Sequence, residues 1–175
     1  MTTRRSARVY LALGSNLGDR ARHLHAGARA LARRGVRIVG ASSVYATGYV
    51  GPGPDQPEYL NAVVEAITTL PPAALLAVAQ EVETLAGRSP GTHAQPRPLD
   101  VDVLFYDDVQ ISDPNLVLPH PRIRQRLFVL EPLRELGALD ARPQLAAARD
   151  ELVGRQSIRR VGGFELGGTL AGEQG

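Results

Sequence analysis

Two aspartates, Asp100 and Asp102, stand in an alternating stretch of the chain, residues 99–106. Successive side chains of an extended strand point to opposite faces, so the two carboxylates share one face. Like charges at this spacing repel each other unless a cation lies between them. Mg²⁺ takes one or two carboxylates and completes its shell with water and substrate phosphates, so the pair predicts a Mg²⁺ site. The alternative is two hydrated acids on an exposed strand. The apolar side chains of the same stretch are expected on the opposite, core-facing side: Leu99, Val101, Val103 and Phe105.

Arginine supplies all 20 basic residues, because the sequence contains no lysine. The absence of lysine excludes the Walker-type phosphate loop and the lysine-dependent protein-kinase arrangement. Arginine can take their place, since its planar fork meets phosphate oxygens with two parallel hydrogen bonds. Arg97 lies between two prolines just before the aspartates. A nucleotide bound by this chain is therefore expected to be held by arginine.

Composition limits the class of protein. A chain of 175 residues with 43% hydrophobic and 22% charged residues is typical of one globular domain. We expect this domain over residues 1–160, followed by a mobile glycine-rich tail over 161–175. The absence of cysteine excludes disulfides, thiolate metal sites and cysteine nucleophiles, and it fits a reducing compartment.

The chain shows no signal for a membrane or for nucleic acid. Its apolar stretches are much shorter than a membrane span, so we expect a cytoplasmic protein without membrane contact. The net charge is only +2, and the arginines are scattered among acids without interleaved aromatic residues. This pattern does not favour a nucleic-acid surface, and we expect no nucleic-acid partner.

Hydrophobic periodicity and turn residues predict an α+β fold. The predicted order is strand, helix, strand, strand, helix and strand, the β-α-β-β-α-β pattern of ferredoxin-like folds. In such folds the helices pack on one face of an antiparallel sheet, and the other face is left for substrate loops. Two irregular loops, 46–57 and 88–96, fall beside strand ends on that side. The elements before the aspartate strand are predicted at 8–14, 19–34, 36–45, 59–68 and 71–87.

A second region with candidate functional residues follows the aspartate strand. A short strand is predicted at 116–118, and His120 then lies between two prolines, where a core role is hard to assign. A helix beginning at Arg122 would put Arg122 and Arg126 on one face. That face could equally be a hydrated arginine surface. A last helix of modest quality is predicted at about 141–154.

Four separated motifs together resemble a known family. They read Gly-Ser-Asn-Leu-Gly-Asp at 14–19, Asp-Gln-Pro-Glu-Tyr-Leu-Asn-Ala at 55–62, Pro-Arg-Pro-Leu-Asp-Val-Asp at 96–102 and Pro-His-Pro at 119–121. In this order and spacing they closely resemble the 6-hydroxymethyl-7,8-dihydropterin pyrophosphokinases of folate biosynthesis, over about residues 8–135. The resemblance implies transfer of the diphosphate of ATP to the hydroxymethyl oxygen of the pterin, with release of AMP. It also implies two Mg²⁺ ions and a ferredoxin-like scaffold.

The resemblance assigns expected roles to individual residues. Asp100 and Asp102 would hold both Mg²⁺ ions and, with Arg88 and Arg97, form the catalytic group. The expected partners are these small molecules alone, bound by a monomer. The residues expected to bind ATP are Glu83, Arg88, Arg97, His120 and Arg126, and those expected to bind the pterin are Thr47, Gly48, Val50, Tyr59, Asn61 and Phe128.

Departures from the family pattern and two rival functions complete the sequence-based picture. Ala94 stands where family members carry a tryptophan, and Ser-Pro-Gly at 89–91 replaces basic residues.

A noncatalytic ligand-binding module would have the same fold, but it gives no reason for the aspartates together with Arg88, Arg97 and His120. A different metal-dependent transferase or phosphohydrolase would explain the aspartates but not the pterin-type pocket.

Overall fold

One antiparallel sheet organises the chain, and a computed structural model describes residues 4–89, 91 and 94–165 of it. None of the described helices is long and apolar enough to cross a membrane. The strands are β1 (Ala7–Ser15), β2 (Val36–Ala41), β3 (Ser43–Thr47), β4 (Tyr59–Thr68), β5 (Asp100–Tyr106), β6 (Ile111–Ser112), β7 (Val117–Leu118) and β8 (Ile158–Gly163). The helices are α1 (Arg20–Ala32), α2 (Pro72–Leu85), α3 (Leu127–Glu135) and α4 (Pro143–Leu152), and a 3₁₀ turn covers Ile123–Gln125.

The strand order brings three strand ends to one place. In the described part of the chain the sheet runs β5-β1-β4-β3-β8, with β2 also paired to β4. Within β1, Gly14 lies opposite Asn61 of β4 on one side and opposite Asp100 of β5 on the other. The predicted β-α-β-β-α-β order and the ferredoxin-like α+β fold are confirmed, and the register sets Asn61 and Asp100 at the same end of the sheet.

Two apolar cores hold the layers together. Helices α1 and α2 cover one face of the sheet, where Leu24 and Leu75 pack with Leu11 of β1. On the opposite face α3 and α4 pack against Tyr10 and Leu104. The second face is therefore not left entirely to substrate loops, because helices cover one half of it. The other half, around Asn61 and Asp100, remains open as a cavity.

The aspartate strand follows the predicted alternation only to residue 103. Leu99, Val101 and Val103 lie in the core beneath α1 and α2, and both aspartates face the other way. The register of β5 against β1 then shifts by one residue, so Leu104 and Phe105 both lie in the second core. Phe105 was expected on the same face as Leu99, Val101 and Val103. This expectation was wrong, because a β-bulge reverses the alternation after residue 103.

The predicted strand 36–45 is interrupted at Ser42, which lies between β2 and β3. Its backbone N–H donates to the carbonyl of Val63 at 2.9 Å. Its hydroxyl accepts from the Val63 N–H at 2.9 Å and donates to the carbonyl of Ser43 at 2.7 Å. The Ser42 hydroxyl thus replaces backbone partners at a buried break in the strand ladder. The sequence pattern of residues 36–45 did not predict this break.

Two further expectations need correction. The helix predicted from Arg122 begins at Leu127, because Arg126 takes an extended conformation (φ −127°, ψ 98°) after the 3₁₀ turn. The tail predicted from residue 161 starts within β8, which pairs with β3, and Phe164 beyond it is buried. The boundary predicted between residues 160 and 161 therefore falls inside a strand, and the mobility expected for residues 161–165 stays a prediction. The rest of the predicted tail, 166–175, lies outside the described residues.

Replacing Ser42 by alanine should destabilise the fold, because it leaves the Val63 N–H without its partner in a dry environment. We expect a loss of about 1–3 kcal/mol in the free energy of unfolding. Chemical denaturation measures this loss, with Ser112→Ala on an exposed strand as the matched control. Equal stability of the two variants would contradict this account of the strand break.

Candidate active site

A cavity of about 880 Å³ opens at the sheet end where β1, β4 and β5 meet. Every residue that the sequence predicted for the site lines it. They come from the strand ends, from the end of α2, from the loops after β3 and α2, from the segment before α3 and from the first turn of α3. These residues are Thr47, Gly48, Val50, Tyr59, Asn61, Glu83, Arg88, Arg97, Asp100, Asp102, His120, Arg126 and Phe128.

The cavity also has walls that the sequence predictions missed. Helix α2 contributes Leu76, Gln80 and Thr84. Gln80, Glu83 and Thr84 lie four, seven and eight residues after Leu76, so these four residues share one helix face. That spacing could have identified the face in advance. Tyr49 and Arg122 also line the cavity, although the latter was expected only as part of a helical arginine face.

Asp100 is the meeting point of two arginines. Arg88 approaches its Oδ1 at 2.9 Å and Arg97 approaches the same oxygen at 3.2 Å. Arg88 also pairs with the buried carboxylate of Glu83 at the end of α2. These contacts draw the loop after α2 onto β5 and concentrate positive charge beside the aspartate pair.

Asp102 lies in a less compensated position. The Nη1 atom of Arg126 is 3.7 Å from its Oδ2, and Nε2 of His120 is 3.9 Å from its Oδ1. Burial, followed by repulsion from Asp100, raises the pKa of Asp102 to about 7, against the opposing effect of the nearby arginines. The side chain keeps 31% of its surface exposed to the cavity, so water screens part of this shift. Extra positive charge at this point would be stabilising.

His120 is neutral at pH 7. Burial, followed by the charge of Arg126, lowers its pKa to about 4. Its Nδ1 accepts from the backbone N–H of Arg122 at 3.1 Å, so the neutral ring carries its proton on Nε2, facing Asp102. The ring can therefore donate one hydrogen bond into the cavity.

The opposite side of the cavity suits a flat polar ring. The amide Nδ2 of buried Asn61 donates to Oγ1 of Thr47 at 2.6 Å, and this bond fixes its orientation. Gly14 lies beneath the amide, where a Cβ atom would come within 2.7 Å of Asn61 Oδ1. Half-buried Tyr59 and Phe128 supply aromatic surface, and the guanidinium of Arg126 lies 5.5 Å from the Phe128 ring.

Hydrogen bonds made by Asn16 join the two irregular loops. Its Oδ1 accepts from the backbone N–H of Arg97 at 2.8 Å, and its Nδ2 donates to the carbonyl of Pro57 at 3.2 Å and to Oε1 of Gln56 at 3.1 Å. Gln56 in turn donates to the carbonyl of Ala94 at 2.7 Å. Asn16 and Gln56 lie in the matched motifs, but nothing in their spacing predicted this link between loops.

The donor set at the sheet end fits Mg²⁺ only in company with a phosphate ligand. Asp100 and Asp102 present two carboxylates on one strand face, and no group of three acidic or histidine ligands occurs among the described residues. Mg²⁺ commonly takes one or two carboxylates and fills its shell with water and phosphate oxygens. The repulsion that raises the pKa of Asp102 is the kind of charge imbalance that a cation would relieve.

Comparison with known proteins gives consistent matches. The model of a family described as 7,8-dihydro-6-hydroxymethylpterin-pyrophosphokinase matches residues 10–138. A Methylorubrum extorquens 2-amino-4-hydroxy-6-hydroxymethyldihydropteridine pyrophosphokinase is 40% identical over 155 residues, covering 88% of this chain and 90% of the relative. The Bacillus subtilis protein of the same name is 41% identical over 129 residues, which cover 73% of this chain and 77% of that relative.

Some similar proteins are much longer. A mitochondrial folate synthesis bifunctional protein of Arabidopsis thaliana is 42% identical over 128 residues, and the match spans only 23% of its length. The crystal structure of wild-type Plasmodium falciparum HPPK-DHPS superimposes with a TM-score of 0.64 at 13% identity. The superposition covers 89% of this chain and 46% of the Plasmodium falciparum chain. At this identity the likeness shows the fold alone.

Replacing Asp102 by asparagine should change how the stability of the metal-free protein depends on pH. Because the folded-state pKa is raised, the native state binds the proton more tightly, and stability falls as pH rises from about 4 to about 7. Asp102→Asn removes this decline, so we expect a gain of about 1–2 kcal/mol at pH 8 and little difference at pH 4. Urea denaturation in EDTA at both pH values measures it. An equal pH dependence of stability in wild type and Asp102→Asn would contradict the raised pKa.

Proposed function

The chain belongs to the 7,8-dihydro-6-hydroxymethylpterin-pyrophosphokinase family, and we propose that it transfers the diphosphate of ATP to 6-hydroxymethyl-7,8-dihydropterin in folate biosynthesis. The hydroxymethyl oxygen bonds to the β-phosphorus, the bond from that phosphorus to the oxygen of AMP breaks, and the hydroxyl loses its proton. One observation carries the proposal. A single cavity combines an aspartate pair flanked by arginines with an amide and aromatic pocket.

The charged side of the cavity would receive ATP. Arg88 and Arg97 share one oxygen of Asp100, so their remaining donors can turn to phosphate oxygens when negative charge enters. Arg126 and the Nε2–H of His120 lie beside Asp102, on the other side of the pair. Preorganised donors of this kind stabilise charge that develops on the transferred group and on the leaving AMP.

Asp100 and Asp102 would hold Mg²⁺, with two ions expected. When bound, Mg²⁺ neutralises phosphate charge and orients the triphosphate for in-line attack. A carboxylate oxygen of the pair could also accept the proton that a nearby substrate hydroxyl loses, as a general base does. The protein supplies few metal ligands of its own, so metal and ATP are expected to bind together.

The other side of the cavity would bind the pterin. Tyr59 and Phe128 offer faces for a flat heterocycle, and Asn61 is held by Thr47 with its amide oxygen still able to accept from a ring edge. Gly48 and Val50, in the loop directly after β3, would form the wall next to the ring. With the ring held there, the hydroxymethyl group of the pterin would point toward the aspartates.

The rival functions explain less of the cavity. A noncatalytic binding module needs neither adjacent carboxylates nor three converging arginines. The repulsion between the two carboxylates and the loss of their hydration lower the stability of the fold. A phosphohydrolase needs no aromatic and amide pocket opposite its metal site. The cytoplasmic location, the monomeric state and the absence of nucleic-acid partners remain predictions from the sequence.

The decisive assay measures AMP release from ATP and Mg²⁺ with and without 6-hydroxymethyl-7,8-dihydropterin. We expect AMP only when the pterin is present, together with the pterin diphosphate. Pterin-independent release of inorganic phosphate would indicate a hydrolase instead. Pterin binding without any AMP would indicate a noncatalytic module.

Alanine at Asp100 or Asp102 should abolish this AMP release without unfolding the protein, because removing one carboxylate relieves the repulsion between the pair. Asp113→Ala, at an exposed turn, is the matched control and should retain activity. Loss of the folded state in both active-site variants would return the aspartates to a structural role.

Gly14→Ala should weaken pterin binding while the fold persists. Its Cβ atom would displace the Asn61 amide, which is buried and tied to Thr47 and so has no easy alternative position. We expect about a tenfold loss of affinity in calorimetric titration with the pterin, as for one misplaced buried hydrogen bond. Gly162→Ala, in a strand position with free space around it, is the control and should bind as the wild type does. Equal affinities would show that Asn61 does not read the ring.

A further inference from the structure

Gln156 lies in the turn between α4 and β8, beyond the residues 10–138 matched by the family model. Its side-chain amide makes two hydrogen bonds to the backbone around Arg126. Oε1 accepts from the N–H of Leu127 at 2.9 Å, and Nε2 donates to the carbonyl of Gln125 at 2.8 Å. One amide therefore binds the residue before and the residue after a cavity arginine.

The start of α3 explains why such a bond is needed. Arg126 occupies the N-cap position, and its side chain makes no capping hydrogen bond. It points instead into the cavity, with Nη1 3.7 Å from Asp102 Oδ2. The first backbone N–H groups of a helix have no partner inside the helix, and an N-cap side chain usually satisfies one of them. Here Gln156 does so from another element.

Gln156 is itself held in place by its surroundings. Its backbone N–H donates to the carbonyl of Leu152 at 3.1 Å, and Gly154 takes a left-handed conformation (φ 82°) that closes the turn. Leu145 and Leu152 of the preceding helix pack against the second core. The amide is therefore presented from a packed element rather than from a freely moving loop.

We propose that Gln156 is a positioning residue that fixes the backbone at Arg126 and so aims its guanidinium at the aspartate pair. The proposal deepens the proposed function and rests on it, since the ligand of Arg126 would be the phosphates of ATP. A side-chain amide bonded on both sides of one residue restricts the φ and ψ angles of that residue. The position of the Arg126 side chain, between Asp102 and the Phe128 ring, depends on that backbone.

A double-mutant cycle with Mg²⁺ and α,β-methylene-ATP tests the proposal by calorimetry. Gln156→Ala should weaken binding about 3- to 10-fold, because Arg126 then spends part of its time away from the cavity. In an Arg126→Ala background the same change should have no further effect on affinity. Gln156→Glu keeps the acceptor for Leu127 but loses the donor to Gln125, and it should fall between wild type and Gln156→Ala.

The cycle separates positioning from simple stabilisation. Loss of a cap also lowers the melting temperature, so all titrations are made well below it. Gln144→Ala, an exposed amide on α4, is the matched control and should bind as wild type does. Additive losses of affinity, or a lower melting temperature with unchanged affinity, would overturn the proposal.

A measurement without ligand keeps this proposal distinct from the proposed function. If the wild type binds no ATP analogue, the proposed function fails, and NMR then decides the role of Gln156. Gln156→Ala should shift and broaden the Nε–H signal of Arg126 and speed hydrogen exchange at the Leu127 amide, whereas Gln144→Ala should not. An unchanged Arg126 signal in Gln156→Ala would overturn the positioning role.

Discussion

Electrostatic repulsion between Asp100 and Asp102 is the constraint on which the rest of the site depends. The alternation of β5 forces both carboxylates onto one face, and burial removes much of the water that would screen them. The surrounding chain answers with arginines from three separate segments: Arg88 after α2, Arg97 before β5 and Arg126 before α3. The compensation is uneven, because Asp100 has two close arginine contacts and Asp102 has only longer ones. This imbalance leaves the site suited to take up further positive charge together with a polyanion.

The sheet register turns this charge cluster into a two-sided site. Gly14 pairs with Asp100 on one side and with Asn61 on the other, so a single position in β1 fixes the separation between the charged half of the cavity and the half lined by Asn61. The missing side chain at Gly14 is what allows the Asn61 amide to lie across the strand. Asn16, two residues further on, ties both irregular loops to the same strand end. Distances across the cavity are thus set by backbone pairing, which is stiffer than loop contacts.

The sequence predicted the parts of the molecule that depend on local periodicity. The helix and strand order and the common face of Asp100 and Asp102 follow from spacing alone, and every residue that the family resemblance assigned to the site lines the cavity. Expectations failed where a tertiary contact overrides the local pattern. The bulge that turns Phe105, the Ser42 hydroxyl that replaces ladder bonds and the pairing of β8 with β3 all depend on partners distant in sequence. Periodicity contains no information about such partners.

Arg126 stands at one of these failures. Its spacing from Arg122 favours a continuous helix, yet residue 126 has extended backbone and its guanidinium lies beside Asp102. The chain adopts extended backbone there and starts α3 one residue later, at the expense of a normal N-cap. The missing cap is supplied by Gln156, 30 residues away, from a segment that the family model does not match. The usual capping rule is thus not followed at a residue that lines the cavity, and the compensating hydrogen bond comes from a turn that does not line it.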